Sequence, residues 1–363
     1  MRIILLAGAR PNLIKVAPLL PTFDRSGITA QVAFTGSREW ALPTDEPGLV
    51  SLWGVTVPTP EWFLDIAEGT SAAQTSASLI ALEQLLDAER PDAVLAVGDH
   101  DATLALAIAA AKRSIPIAHL EAGLRCGDLS VPEEVNRVLV SRLTALHLAC
   151  DEASMGHLVA EGVDSDRVVL VGSVLAESVI RNAESVRDRD AAADYGLTRS
   201  GYVAASFHCP DNLEDRTRCR AIFDALGGLG MPVLMPDAHG VSNLLAAHGI
   251  HVDDPVRIVD GVPYRDMLAI VRDAAVVVTD SGGVQEEACM LGTPCVTVRR
   301  CTERVATLEA GANRLAGATP EAIASAVHEA MEGPRKWITP KRWDKAVSQR
   351  VVRALRRGVS PLE

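Results

Sequence analysis

The chain has 363 residues, of which 48% are hydrophobic and 23% charged, so it is a folded, soluble protein with room for about two domains. Its formal net charge of −12 argues against a nucleic acid or an acidic membrane surface as the main partner. Apolar runs such as residues 102–111 are too short to span a bilayer, and the seven scattered cysteines fit neither a disulfide framework nor a zinc site. We therefore expect a cytoplasmic protein.

Strand-like and helix-like segments alternate through the first half of the chain. Apolar, β-branched runs predict strands at residues 2–7, 30–34, 93–97, 116–119, 145–149 and 168–171. Helical spacing of apolar residues predicts helices between them at residues 13–20, 71–86, 103–111 and 133–143. Such alternation is typical of βα units that form parallel sheets covered by helices on both faces.

The second half of the chain repeats this alternation after a break. Strands are predicted at residues 202–206, 232–236, 256–259, 275–279 and 295–298. A polar stretch within residues 173–200 indicates a hinge. We expect an α/β protein with two doubly wound, Rossmann-like domains that face a central cleft, residues 1–175 and residues 176–340, followed by residues 341–363.

The most informative motif is Thr-Asp-Ser-Gly-Gly-Val-Gln-Glu-Glu-Ala, residues 279–288, which follows a buried strand. Gly282 and Gly283 let the backbone turn tightly and approach a ligand, and a helix N-terminus beside Ser281 favours a phosphate. Glu287 lies about one turn into that helix, where its carboxylate could hold a ribose diol. The motif predicts a nucleotide diphosphate site, and the alternative is an ordinary strand-to-helix turn with a serine cap.

Three carboxylates stand at strand ends or at a helix start in the first domain. Asp99 closes the strand at residues 93–97, and Glu121 closes the next strand. Glu133 opens the following helix and shares a face with Arg137, four residues on. Clustered carboxylates in a closed cleft repel one another, which raises some of their pKa values and suits proton removal and return. The alternatives are an N-cap for Asp99 and a surface ion pair for Glu133.

Polar side chains at other strand ends could bind an anion. Arg10 and Lys15 follow the first strand, His208 follows the first strand of the second domain, and Glu303 and Arg304 follow the last predicted strand. Arginine can clamp an anion, and histidine can donate to a phosphate or assist a leaving group. The alternatives are a solvated surface arginine, a capping histidine and a surface salt bridge.

In their order along the chain, these segments resemble the UDP-N-acetylglucosamine 2-epimerase family of the non-hydrolysing bacterial type. The matching stretches are residues 9–11 with Lys15, 98–99, 119–125, 132–137, His208, 280–287, 302–304 and, more weakly, 343–351. The resemblance implies a fold of the glycosyltransferase-B type in which residues 341–363 form a helix that packs back on the first domain. It also implies a homodimer that needs no redox cofactor and no essential metal.

The resemblance implies a reaction and a role for each matching residue. A base removes the proton at C2 of the sugar, UDP leaves from C1 to give 2-acetamidoglucal, and UDP adds back after a proton reaches the opposite face of C2. Asp99, Glu121 and Glu133 would transfer protons, and His208 would be a catalytic or diphosphate-contacting group. The remaining site residues would be Arg10, Ser281, Gly282 and Gly283 at the phosphates, Glu287 at the ribose, and Lys15, Arg137, Glu303 and Arg304 as groups that position the substrate or the acids.

Departures from the family pattern concern substrate and regulation. Cys209 and Asp211 stand where the family commonly has Arg and Glu, and Asn12 stands where Glu often follows the Arg-Pro pair. Residues 36–38, Gly-Ser-Arg, replace a Gly-Gln-His segment that the family ties to a regulatory second UDP-sugar, so we expect weak or absent allosteric activation. The departures leave room for a modified sugar in a specialised pathway such as antibiotic biosynthesis.

Rival functions remain open. A hydrolysing epimerase would release free N-acetylmannosamine and UDP, and an epimerase of another UDP-acetamido sugar would keep the UDP link. A glycosyltransferase on the same fold would need an acceptor and would show no proton exchange at C2. A non-catalytic UDP-sugar sensor would gain little from clustered negative charge near a diphosphate.

Overall fold

The structure, a computed structural model, describes residues 1–40, 42–43, 49–52, 55–67, 69–237 and 240–359. The chain divides into two compact units, one of Met1–Ser178 with Lys341–Glu363 and the other of Val179–Pro340. Each unit has its own hydrophobic core. The division falls within the predicted hinge region, but a helix continues through it.

The first unit is built on a parallel sheet. The strands of this unit are β1 (Arg2–Ala7), β2 (Thr29–Phe34), β3 (Leu42–Pro43), β4 (Leu49–Leu52), β5 (Val55–Pro58), β6 (Trp62–Phe63), β7 (Ala93–Val97), β8 (Ile117–Leu120), β9 (Leu146–Ala149) and β10 (Val168–Leu170). Seven of them form the parallel sheet in the order β10-β9-β8-β7-β1-β2-β6, and β3, β4 and β5 form a small antiparallel sheet. The fully buried sequence Ala-Val-Leu-Ala-Val of β7 shows why such central strands lack alternation: helices cover both of their faces.

Helices connect these strands. They are α1 (Arg10–Val16), α2 (Leu20–Arg25), α3 (Ser71–Glu89), α4 (Asp101–Ala111), α5 (Pro132–Leu143), α6 (Glu152–Ala160) and α7 (Val174–Ser185), the last of which enters the second unit. Side chains cap the start of three of these helices: Thr70 accepts a hydrogen bond from the Ala73 amide, Asp151 accepts one from the Ser154 amide, and Ser173 accepts one from the Ala176 amide. Pro132 occupies the first turn of α5, where no intrahelical amide bond is lost.

The second unit is also a doubly wound sheet. Its strands are β11 (Val203–Ser206), β12 (Val233–Asp237), β13 (Val256–Asp260), β14 (Val276–Thr279), β15 (Cys295–Val298) and β16 (Asn313–Ala316). All pair in parallel, in the order β13-β12-β11-β14-β15-β16, which is the Rossmann order. Its helices are α8 (Pro210–Leu213), α9 (Arg216–Gly227), α10 (Val241–Ala247), α11 (Tyr264–Asp273), α12 (Gly282–Leu291), α13 (Val305–Glu309) and α14 (Pro320–Glu332).

The terminal segment, which contains α15 (Val347–Arg356), returns to the first unit. Glu177, whose exposed fraction is 0%, accepts hydrogen bonds from the amide and the hydroxyl of Ser348 at 2.7 and 2.9 Å. The Trp343 indole donates to the Cys150 carbonyl oxygen at 3.0 Å. A buried carboxylate needs such partners, so the segment is an integral part of the first unit.

The predicted α/β class with two doubly wound parallel sheets is confirmed, and each predicted strand overlaps a strand of the structure. The edge strand β16 was missed because Asn313 and Arg314 interrupt its apolar pattern. Asn313 is buried there because its side chain bonds Thr297 on the neighbouring strand and Gln285. Among the described helices, none combines the length and the apolar character needed to cross a bilayer.

Candidate functional site

The first group of predicted residues lies at the carboxyl ends of β1, β7 and β8, which are neighbours in the sheet of the first unit. The chain winds from β1 outward in one direction and from β7 outward in the other, and ligands of doubly wound sheets bind at such a reversal. Lys15 lies on α1 after β1, Asp99 follows β7, and Glu121 follows β8. The strand order therefore brings together three residues that are far apart in the sequence.

Lys15 and Glu121 form a buried ion pair. Lys15 Nζ donates to Glu121 Oε2 at 2.8 Å, and the two side chains are 10% and 3% exposed. Glu121 has a φ of +63°, a left-handed conformation that costs a non-glycine residue about 1–2 kcal/mol. A Cβ at Gly98 would lie 3.3 Å from Asn12 Nδ2, which is tight, and 3.6 Å from Glu121 Oε2, which is an ordinary contact; the φ of +71° at Gly98 also favours glycine. Backbone strain together with a buried charge favours a functional role over an ordinary turn.

A second ion pair ties Asp99 to α5. Arg137 Nη1 contacts Asp99 Oδ2, and the Arg137 side chain is almost fully buried. Asn136 Nδ2 donates to the Asp99 carbonyl oxygen and to Asp101 Oδ1, both at 3.0 Å. The alternative of Asp99 as a helix cap is wrong, since His100 occupies the N-cap position of α4. Helix α5 thus holds both the backbone and the side chain of the turn after β7.

Glu134, which the sequence pattern did not single out, takes the place expected for Glu133 beside Arg137. Its carboxylate accepts hydrogen bonds from Arg137 Nε at 2.7 Å and from the amides of Cys126 and Gly127 at 3.1 and 2.9 Å. Glu133 lies on the exposed face of α5, so the expected i,i+4 pairing is corrected to an i,i+3 pairing with Glu134. Both spacings bring helical side chains together, and the burial of Glu134 distinguishes them.

We expect Glu134→Gln to lower the free energy of unfolding by about 1–3 kcal/mol at neutral pH. Burial alone would raise the pKa of Glu134, but the amides of Cys126 and Gly127 and the Arg137 guanidinium together outweigh it and hold the pKa below its usual value of 4.5. The folded-state pKa lies below the unfolded one, so this stabilisation is present above the unfolded pKa and is lost as the pH falls through the folded pKa. The measurement is urea unfolding of the unaltered protein and of the variant at pH 7 and at about pH 3.5. The difference between their free energies of unfolding should be smaller at the lower pH.

Glu133→Gln is the matched control for this prediction, because it makes the same chemical change one residue away on the exposed face of α5. It should alter the free energy of unfolding by less than about 0.5 kcal/mol. A difference for Glu134→Gln that stays constant into acid would show that the Glu134 charge does not stabilise the fold.

Gly123, two residues after Glu121, packs against the backbone of α6. Its φ is +86°, and a Cβ there would lie 2.2 Å from the Ser154 carbonyl oxygen. Gly123→Ala adds left-handed strain and overpacking, and we expect it to lower the free energy of unfolding by about 2–5 kcal/mol. Gly127→Ala is the control, since its φ of +75° carries the strain while the space around it is open. Thermal unfolding measures both, and equal losses would contradict the prediction.

The second group lies at the carboxyl ends of β11, β14 and β15, neighbours in the sheet of the second unit. His208 follows β11, residues 280–283 follow β14, and Glu303 and Arg304 follow β15. The strands β11 and β14 flank the reversal of strand order in this sheet, which is again the place where ligands bind. His208 lies there with a side chain that is 41% exposed, and its Nδ1 is 3.3 Å from Asp280 Oδ1.

The turn after β14 leads directly into α12. Ser281 is the N-cap, and its hydroxyl accepts a hydrogen bond from the Val284 amide at 3.5 Å. Gly282 and Gly283 are the first two residues of the helix, and a Cβ at Gly282 would lie 2.3 Å from Glu303 Oε1. The amides and the dipole at the start of a ten-residue helix favour an anion. This geometry suits the predicted diphosphate site.

Glu303 and Arg304 are both only 6% exposed, so the alternative of a surface salt bridge is wrong. Arg304 pairs with Glu286 and lies 3.5 Å from Glu303 Oε1, while Arg299 Nη1 lies 3.0 Å from Glu303 Oε2. Glu286 is fully buried on α12 and was not singled out from the sequence, since a Glu-Glu pair does not reveal which member faces the core. The network fixes the loop after β15 against the start of α12.

The other predicted site residues lie on the same elements. Glu287 is 6% exposed on α12, and burial together with the Glu287 carboxylate raises the pKa of Tyr264 well above its usual value. Arg10 begins α1, and its side chain lies outside the part of the chain that the structure describes. Among the described residues, no group of three or more His, Cys, Asp or Glu side chains is placed to hold a metal ion.

The solved structures that resemble this one identify the fold. The crystal structure of Methanocaldococcus jannaschii UDP-GlcNAc 2-epimerase in complex with UDP-GlcNAc and UDP has a TM-score of 0.88 and 28% identity, and the match covers 99% of this chain and 100% of that one. The α,α-trehalose 6-phosphate synthase of Burkholderia multivorans matches with a TM-score of 0.55 and 13% identity over 98% and 93% of the two chains, a likeness of fold alone. The predicted glycosyltransferase-B type of fold is confirmed.

Sequence comparison identifies the family. The curated M. jannaschii UDP-N-acetylglucosamine 2-epimerase is 30% identical over 99% of this chain and 100% of its own length. The UDP-2,3-diacetamido-2,3-dideoxy-D-glucuronate 2-epimerase of Pseudomonas aeruginosa is 32% identical over 89% of this chain and 90% of its own length. The profile of the family described as UDP-N-acetylglucosamine 2-epimerase matches residues 25–356, and the protein therefore belongs to that family.

Proposed function

We propose that the protein is a non-hydrolysing epimerase that interconverts UDP-N-acetylglucosamine and UDP-N-acetylmannosamine. The observation that supports this most strongly is the pair of cation-bound carboxylates in the first unit, Glu121 with Lys15 and Asp99 with Arg137, at the reversal of the sheet. Inversion at C2 needs one group to remove a proton from one face and another to return a proton to the opposite face. The relative in M. jannaschii, named a UDP-N-acetylglucosamine 2-epimerase, supports the choice of sugar.

The reaction proceeds by elimination and re-addition. One carboxylate takes the C2 proton, the electron pair of that C–H bond forms the C1–C2 double bond, and the C1–O bond breaks as UDP leaves with its electron pair. A carboxylic acid then delivers a proton to the opposite face of C2, and a UDP oxygen bonds C1 again. Glu121 and Asp99 are the two paired candidates for these transfers, and Glu133 is an exposed third on α5.

The second unit supplies the groups for the leaving diphosphate. The amides of Gly282 and Gly283, the Ser281 hydroxyl and His208 can donate to phosphate oxygens, and Arg10 of the first unit is proposed to add a further donor. Charge that develops on the departing diphosphate is stabilised by such fixed donors without reorganisation. Glu287 is proposed to hold the ribose, and no redox cofactor or essential metal takes part in the proposed reaction.

The test is a proton NMR time course with UDP-N-acetylglucosamine in heavy water. The expected result is deuterium at C2 together with accumulating UDP-N-acetylmannosamine. Free sugar and UDP as the only products would assign the protein to the hydrolysing type. Absence of exchange at C2 with this sugar would exclude it as the substrate.

Epimerisation of another UDP-acetamido sugar is the second candidate function. The Pseudomonas aeruginosa relative, named for a diacetamido glucuronate, is as similar to this chain as the N-acetylglucosamine relatives are. Cys209 and Asp211, beside His208, also depart from the family pattern. Comparing kcat/KM for both UDP-sugars separates the two candidates.

Size-exclusion chromatography with light scattering tests the homodimer that we propose for the same protein.

A further inference from the structure

The carboxylate of Asp280 holds the loop that carries His208. Asp280 Oδ1 accepts a hydrogen bond from the His208 amide at 2.9 Å, and Oδ2 accepts from the Cys209 amide at 3.1 Å and from Asn212 Nδ2 at 3.0 Å. The imidazole ring of His208 also faces the Asp280 carboxylate, and its Nδ1 lies 3.3 Å from Asp280 Oδ1. The Asp280 side chain is 0% exposed, whereas that of His208 is 41% exposed. The carboxylate is thus the buried support of a solvent-accessible imidazole.

The position of Asp280 follows from the topology of the sheet. Strands β11 and β14 are adjacent with Ser206 opposite Thr279, and the Asp280 amide donates to the Ser206 carbonyl oxygen at 3.3 Å. Asp280 stands immediately before Ser281, and it is Ser281 that caps α12. The Asp280 carboxylate is therefore directed to the neighbouring strand end and not to the helix that follows it.

A carboxylate beside one ring nitrogen decides which nitrogen of a histidine meets a ligand. Asp280 favours the form of His208 that carries its proton on Nδ1, so Nε2 is the nitrogen on the side away from the carboxylate. For Nε2–H to donate to a phosphate oxygen while Nδ1–H faces Asp280, both ring nitrogens must carry protons. Cys209 does not compete for this role, because burial and the Asp280 charge raise the pKa of its thiol to about 11 and keep it neutral.

We propose that Asp280 is a positioning residue that acts on the reaction through His208: it fixes Nδ1 towards itself and presents Nε2 to the departing diphosphate. The inference rests on the proposed function, in which His208 donates to that diphosphate. It involves no covalent step, only a hydrogen bond from Nε2–H to a phosphate oxygen.

A double-mutant cycle tests the proposal. Asp280→Asn places an amide between the donors of residues 208, 209 and 212, and we expect it to lower kcat about 10- to 100-fold in the otherwise unchanged protein. In the His208→Ala background the same change should lower kcat by less than about 3-fold, because its effect passes through the missing ring. Equal losses in both backgrounds would overturn the proposal and assign Asp280 a purely structural role.

Asn212→Ala is the matched control, since it removes the hydrogen bonds that Asn212 donates to Asp280 and to the Val298 carbonyl oxygen, and it leaves the contacts between Asp280 and His208 in place. It should lower kcat by less than about 3-fold. If it lowered kcat as much as Asp280→Asn, the effect would come from the loop as a whole, and the specific role of the Asp280–His208 contact would be wrong.

Nitrogen-15 NMR of the histidine rings gives an answer even if Asp280→Asn does not fold or if the proposed reaction is not found. In the unaltered protein at alkaline pH, the His208 signals, assigned by their loss in His208→Gln, should show a protonated Nδ1 and an unprotonated Nε2. The opposite tautomer would overturn the proposal. The heavy-water time course reports separately on the reaction, so the two failures are distinguishable.

Discussion

Replacing Glu121 with glutamine should lower turnover of the UDP-sugar by about 10²- to 10⁴-fold, the usual contribution of a positioned acid or base. The amide keeps the shape of the side chain but can neither take nor return the C2 proton. Glu121 has a left-handed backbone conformation, at which an ordinary turn would have a glycine or an asparagine. Its carboxylate is held in place by the contact with Lys15. The measurement is kcat together with the rate of deuterium exchange at C2, and both should fall in parallel.

The control for this prediction is Glu161→Gln. Glu161 also pairs with a buried cation of the first unit, Arg125 at 2.8 Å, but it lies at the end of α6, away from the carboxyl ends of β7 and β8. Its amide variant should keep turnover near that of the unaltered protein. Asp99→Asn should resemble Glu121→Gln, and near-normal turnover of both variants would contradict the proposed elimination.

Lys15→Met should lower the free energy of unfolding by about 3–5 kcal/mol, because it removes the cation beside a carboxylate that is 3% exposed. Methionine has a similar length, so the loss measures the removed ion pair with Glu121 and not a cavity. Urea unfolding of the purified protein gives the value.

The double variant Lys15→Met with Glu121→Gln separates charge from packing. Once the carboxylate is neutral it no longer needs a cation, so the double variant should be more stable than Lys15→Met alone by about 1–3 kcal/mol. A double variant whose loss equals the sum of the two single losses would show that the two residues do not interact.

The alternation of apolar strands and helices was enough to predict the class and eleven of the sixteen strands that the structure describes, because a parallel sheet buried on both faces leaves long apolar runs in the sequence. The short strands β3 to β6 and the edge strand β16 lack such runs and were not predicted. The choice between adjacent polar residues was not predictable in the same way. Glu133 and Glu134 both follow Pro132, and only the turns of α5 decide that Glu134 is buried against Arg137. The same choice between two adjacent glutamates arises at Glu286 and Glu287, and the sequence did not indicate that Glu286 is the one that pairs with Arg304.

Residues that act on another loop were the hardest to foresee. Asp280 and Asn136 look like ordinary turn and helix residues, and their importance lies in contacts across 72 and 37 positions of the chain. The same holds for the buried Lys15–Glu121 pair, which spans 106 positions. A pattern in neighbouring residues cannot reveal contacts between residues so far apart in the sequence. These contacts form because the strand order of each sheet brings the residues together at the reversal.

The return of the terminal segment to the first unit has a consequence for the order in which the two units can fold during synthesis. Residues 179–340 form a continuous unit, and all of them are synthesised before Ser348 can meet Glu177. Domains usually fold as they emerge, the earlier ones first. In this protein the synthesis of the first unit starts first and ends last. The second unit can therefore fold while Glu177 still lacks its hydrogen-bond partner Ser348.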